Sequence, residues 1–129
     1  MDPKRRESDL PAAIEQWGWR YHHLGIPTKE QIPGERYLKE FGMYVTGFDT
    51  SPYGVEWMRF DVDSPISELI QNVPHLAFEV DDLERALDGK EILSAPASPS
   101  EGVRVAMILH DGAPIELLQF EKKPENTRS

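Results

Sequence analysis

Apolar and polar residues alternate with a period of two over most of this chain, and helical spacing interrupts only briefly. Residues 20–27 set Leu24 and Ile26 on one face and His23 and Gly25 on the other, as a strand would. Residues 43–48 read as a short strand, 49–54 as a turn cluster and 55–61 as a further strand. Residues 74–80 form the next strand, with Leu76, Phe78 and Val80 opposite His75 and Ala77. Strands at 91–95, 103–110 and 114–121 follow, the last two joined by the hairpin signal Asp111-Gly112. Helical spacing is expected in three places. Leu10, Ala13, Ile14 and Trp17 form one stripe, capped by Ser8 or Asp9. Residues 35–41 present Tyr37, Leu38 and Phe41 and stop at Gly42. Asp81-Asp82 caps a helix over 83–87 that Gly89 ends. Ser64-Pro65 with Glu68 opens one or two helical turns, and the Ser-, Pro- and Ala-rich run 94–101 reads as a loop.

The pattern occurs twice. Val55-Glu56-Trp57-Met58-Arg59-Phe60-Asp61 matches Ile115-Glu116-Leu117-Leu118-Gln119-Phe120-Glu121 class for class, and a repeat of this kind sets the architecture. Upstream, Tyr21-His22-His23-Leu24-Gly25-Ile26 aligns with Val73-Pro74-His75-Leu76-Ala77-Phe78 on a His-Leu-small-apolar centre. Each repeat therefore opens on a His strand and closes on a Glu strand. The second half reads β-α-β-β-β. The first is shorter, with one strand fewer or a tighter connection. The expected fold is α+β: two tandem βαβββ modules, 19–63 and 73–121, forming a curved mixed sheet around one cleft. Residues 1–18 form a tail and short helix, and 122–129 a polar tail.

Composition narrows the picture. With 129 residues and an apolar fraction of 39%, the chain can bury a core of its own. A net charge of −9, from 14 basic and 23 acidic residues, argues against nucleic acid as a partner. The absence of cysteine removes disulfides and thiolate chemistry. No apolar run has the length of a membrane span and no signal core is evident, so a cytoplasmic protein without membrane attachment is expected.

Taken singly, a strand histidine or glutamate is usually structural or solvated. The matched quartet His23, Glu56, His75 and Glu116 is what points to a site. If the His and Glu faces coincide, two imidazoles and two carboxylates line one apolar-walled concavity, which is costly unless they hold a cation or each other. Both are ordinary ligands for nickel, cobalt, zinc, iron or manganese. Two open positions on such an ion suit a small substrate with two neighbouring oxygens, and a loosened Glu could take a carbon-bound proton. Glu56 and Glu116 are the candidate catalytic groups. His22 is expected to face away from His23, His110 to be exposed, and Tyr21, Arg59 and Arg104 to lie at the surface.

These motifs resemble the vicinal oxygen chelate superfamily over nearly all of residues 19–121, and within it the glyoxalase I-like branch. The resemblance implies metal ligation by His23, Glu56, His75 and Glu116 in that order, and a metal-dependent lyase or isomerase acting through an enediolate. Epimerase-like members would carry Gln at the first Glu. Extradiol-type dioxygenases and the non-catalytic sequestering proteins of the bleomycin-resistance type are the alternatives. Together with the apolar stripe over residues 10–17, the resemblance also implies a homodimer.

Overall fold

The structure, a computed structural model, describes residues 4–121; the tail expected over 122–129 lies outside the described residues. Chain order is α1 (Ala12–Glu15), β1 (Arg20–Pro27), β2 (Arg36–Leu38), a 3-10 turn (Lys39–Phe41), β3 (Met43–Thr46) and β4 (Val55–Phe60). Then follow α2 (Glu68–Asn72), β5 (His75–Glu79), α3 (Leu83–Leu87), β6 (Glu91–Ser100), β7 (Val103–His110) and β8 (Ala113–Phe120). The eight strands form one curled mixed sheet in the order β2-β3-β4-β1-β5-β8-β7-β6, the α+β arrangement expected from the repeat.

The repeat is visible in the pairing. Each module closes by setting its Glu strand parallel to its His strand, β1 with β4 and β5 with β8. The two His strands pair antiparallel at the centre. The four central strands thus carry one quartet residue each.

The second module is β-α-β-β-β as expected. Asp82 caps α3 through its carboxylate, which accepts from the Arg85 amide. Asp111 and Gly112 have φ of 48° and 85°, the double left-handed turn that a two-residue hairpin needs. Beneath α3, Phe78, Val80, Leu83, Ile108 and Leu117 pack with Trp19 into one core cluster. Burial of this kind contributes about 25 cal/mol per Å² of apolar surface removed from water.

The first module departs from its expected form. It has four strands, so the missing piece is the helix: residues 28–35, broken by Pro33 and Gly34, form no element. Leu24 and Ile26, which a helix would cover, remain half-buried. Of residues 35–41 only Lys39–Phe41 turn helically, as one 3-10 turn that Gly42 ends in the left-handed region; Arg36–Leu38 are strand. Tyr37 and Leu38 pair with Tyr44 and Met43, and Arg59 holds Glu35 with two 2.8 Å hydrogen bonds. Tertiary pairing outweighs the local spacing of Tyr37, Leu38 and Phe41.

Two further expectations need correction. Residues 94–101 belong mostly to β6, not to a loop. β6 is the edge of the sheet and its pairing with β7 shifts register three times, so Pro96 and Pro99 are tolerated where a regular central strand would exclude them. The N-terminal helix is one turn entered at Pro11, and Asp9 closes a turn with the Arg6 amide instead of capping it. Its Ala13 and Ile14 pack on the core, while Leu10 and Trp17 are 55% and 54% exposed.

Candidate metal centre

Register brings the quartet together. In the antiparallel pair, His23 sits opposite Ala77 and His75 opposite Gly25. In the parallel pairs, Gly25 sits beside Glu56 and Ala77 beside Glu116. The small residue two places after each histidine therefore lies beside the other module's imidazole and its own module's carboxylate. At Gly25 this is a strict steric condition. A Cβ there would stand 2.3 Å from His75 Cε1 and under 3 Å from both ring nitrogens.

One ligand atom each from His23, His75 and Glu116 lies within 4.8 Å of the others, among buried or half-buried groups. His75 Nε2 is 3.0 Å from Glu116 Oε1 and hydrogen-bonded to it. His23 Nε2 is 3.3 Å from the same oxygen and 3.6 Å from Glu56 Oε1. Glu56 is thus a neighbour of His23 but stands outside the tighter group of three.

His23 Nε2 is fully buried and has no aligned hydrogen-bond partner. A buried polar nitrogen left unpaired costs about 1–3 kcal/mol, so such an atom calls for an explanation. The residues fit a divalent cation on this observation: an unpartnered imidazole nitrogen aimed at a carboxylate, in a donor set of two imidazoles and a carboxylate.

The two glutamates differ electrostatically. Burial opposes ionisation of Glu116, but the imidazoles of His23 and His75 outweigh it and hold its pKa at about 2. Burial pushes Glu56 up from the usual carboxylate value, with His23 only partly offsetting it. Burial works against protonation of His23, yet Glu116 and then Glu56 overcome it, so its pKa is raised.

His22 was expected to face away from His23, and it does not. The β1–β5 register slips between Tyr21 and His23, which makes His22 the extra residue of a β-bulge. A bulge re-aims side chains that strict alternation would separate. The His22 ring stacks on Phe48 and tilts against Phe120, with centroids 5.1 and 5.4 Å away. Its Nδ1 lies 2.8 Å from His23 Nδ1. Burial and then the neighbouring His23 lower the pKa of His22, which favours its neutral form. The His-His pair at positions 22 and 23 was the only sequence signal of this contact.

The remaining candidates are occupied or distant. Arg59 and Arg104 are bound to Glu35 and Glu84. The Tyr21 hydroxyl donates to the Tyr53 carbonyl at 2.9 Å. His110 is exposed and its nearest charge is Asp111 at 3.8 Å. Glu56, His75 and Glu116 open onto a cavity of about 430 Å³. Its walls include Phe41, Met43, Val45, Met58 and Phe60, the second apolar cluster of the molecule.

No protein-family model matches the chain, and no curated protein matches it in sequence. Solved structures do match in fold. One is a hypothetical protein from Bacillus halodurans, at 19% identity and a TM-score of 0.61, covering 84% of this chain and 99% of that one. Another is methylmalonyl-CoA epimerase from Mycobacterium tuberculosis, at 20% identity and a TM-score of 0.54, covering 85% of this chain and 92% of that one. At these identities the likeness is one of fold alone, a curled mixed sheet.

Proposed function

We propose that the chain is a metal-dependent enzyme of the isomerase or lyase kind, which moves a proton on a small substrate bearing two neighbouring oxygens. The observation that carries this reading is the convergence of His23, His75 and Glu116 at the edge of an apolar cavity, with His23 Nε2 buried and unpartnered. Likeness of fold to an epimerase is consistent with proton transfer at carbon.

His23, His75 and Glu116 would hold the ion, with Glu56 beside His23 as a fourth candidate. When bound, a divalent ion would supply Lewis acidity toward the substrate oxygens. The pKa values of the glutamates separate their parts. Glu116, held at about 2, stays ionised and serves as a ligand. Glu56 lines the cavity, and burial makes it the stronger base. It is placed to accept a proton from a substrate carbon, leaving the electron pair on the adjacent oxygen, and to return the proton on the same face to the neighbouring carbon. His22 accepts the His23 Nδ1–H, which leaves the Nε2 lone pair free for the ion.

Competition with a coloured chelator between pH 8 and pH 5 tests this reading. His23 must lose its proton to act as a ligand, and its pKa is raised. Zinc or cobalt affinity is therefore expected to be high at pH 8. Below the raised His23 pKa it should fall by roughly tenfold per pH unit for each proton displaced. Affinity that is absent, or flat across this range, would contradict the proposal.

A further inference from the structure

The shape and charge of the cavity say what kind of molecule the site takes. We propose that it accepts an uncharged, largely apolar molecule, aromatic or alicyclic, presenting two neighbouring oxygens, and not a phosphorylated or coenzyme-A-linked one. The oxygen pair rests on the metal reading above; the apolar body does not.

One wall is the apolar cluster of Phe41, Met43, Val45, Met58 and Phe60. The facing wall is β6, where Ser94, Ala95, Ala97, Ser98 and Pro99 line the space. Those short side chains on a thrice-bulged strand leave room for a ring where longer ones would fill it. A volume of about 430 Å³ lies in the lower part of the usual range for small-molecule sites.

The charged groups that line the cavity are Glu40, Glu56 and Glu116. A divalent ion would neutralise the last two and leave nothing over for a phosphate. The cation whose field reaches Glu56 is Arg36, on edge strand β2, outside the cavity lining. A phosphate or pyrophosphate entering these walls would lose its water against apolar side chains and a carboxylate, with no lysine or arginine among the lining residues to pair it.

Two matched pairs of probes separate the claims. On zinc-loaded protein, benzohydroxamate is compared with phosphoglycolohydroxamate by calorimetry. Both present two neighbouring oxygens; one carries a phenyl ring and the other a phosphate. The phenyl compound is expected to bind at least tenfold tighter. On metal-free protein, naphthol is compared with naphthyl phosphate. Methyl-labelled Met43, Met58 and Met107, which all line the cavity, serve as NMR reporters. Naphthol is expected to shift all three signals and the phosphate ester none. Silence toward naphthol, or equal or tighter binding of the phosphorylated member in either pair, overturns the proposal. If naphthol is preferred while benzohydroxamate binds metal-free protein as tightly as the zinc-loaded form, the apolar class stands and the metal reading falls.

Discussion

Glu116→Gln is expected to lower affinity for a divalent ion by at least about a hundredfold, whereas His22→Ala should cost roughly ten- to a hundredfold. Glu116 lies between both imidazoles, hydrogen-bonded to His75 Nε2 at 3.0 Å and 3.3 Å from the unpartnered His23 Nε2. An amide keeps its shape and loses its charge. His22 acts one step removed, through its 2.8 Å contact with His23 Nδ1. His22→Asn offers an acceptor oxygen from a shorter side chain and should recover part of the loss. Calorimetric zinc titration of the three variants measures this. Unchanged affinity in Glu116→Gln would remove the carboxylate from the site.

The same variant changes acid stability in the metal-free protein. Glu116 has its folded pKa depressed from 4.5 to about 2. Its contribution is therefore full above about pH 4.5 and is lost as pH falls through about 2. His23, with a raised pKa, has the opposite sign: its contribution is full below its unfolded value and is lost as pH rises through the folded one. Glu116→Gln should flatten the acid limb of the stability curve, because the titrating carboxylate is gone.

Gly25→Ala is expected to destabilise the fold by about 1–3 kcal/mol and to weaken metal binding by tenfold or more. The added methyl would occupy the space of the His75 ring, which is only 4% exposed and hydrogen-bonded to Glu116. Alanine suits a strand better than glycine by roughly 0.5–1 kcal/mol, so a loss of stability would have to come from the clash. Ala77→Gly is the reciprocal change beside His23. It should cost about 1 kcal/mol by removing a favourable residue, and metal binding should hold. Urea unfolding with parallel zinc titrations separates the two. Equal behaviour of the pair would mean that the His75 ring has freedom to move aside.

What was legible from residue order is what the repeat carries. The His-Leu-small and Glu-strand motifs predicted strands β1, β4, β5 and β8, their duplication, and faces that bring His23, His75 and Glu116 together, with Glu56 beside His23. Three things were not legible, each because a distant contact outweighs a local pattern. Period-two reasoning assigns His22 to the opposite face, and the β-bulge against β5 turns it beside His23. Helical spacing over 35–41 survives only as the 3-10 turn at Lys39–Phe41; before it, pairing of Tyr37 with Tyr44 and the Arg59–Glu35 bridge prevail. The Ser-Ala-Pro run over 94–101 looks like a loop, because nothing local announces that β7 will pair with it as the edge of a sheet. That run turns out to be a cavity wall, so a feature bearing on ligand choice lay where local pattern was weakest.

The central claim is that one divalent ion sits among His23, His75 and Glu116. Crystals of the zinc- or cobalt-loaded protein, measured above and below the metal absorption edge, test it most directly. The expected result is one anomalous peak per chain between these three side chains, absent from Glu116→Gln crystals grown alike. A peak at His110 or elsewhere on the surface, with density for a direct hydrogen bond closing His23 Nε2 onto Glu116, would contradict the account.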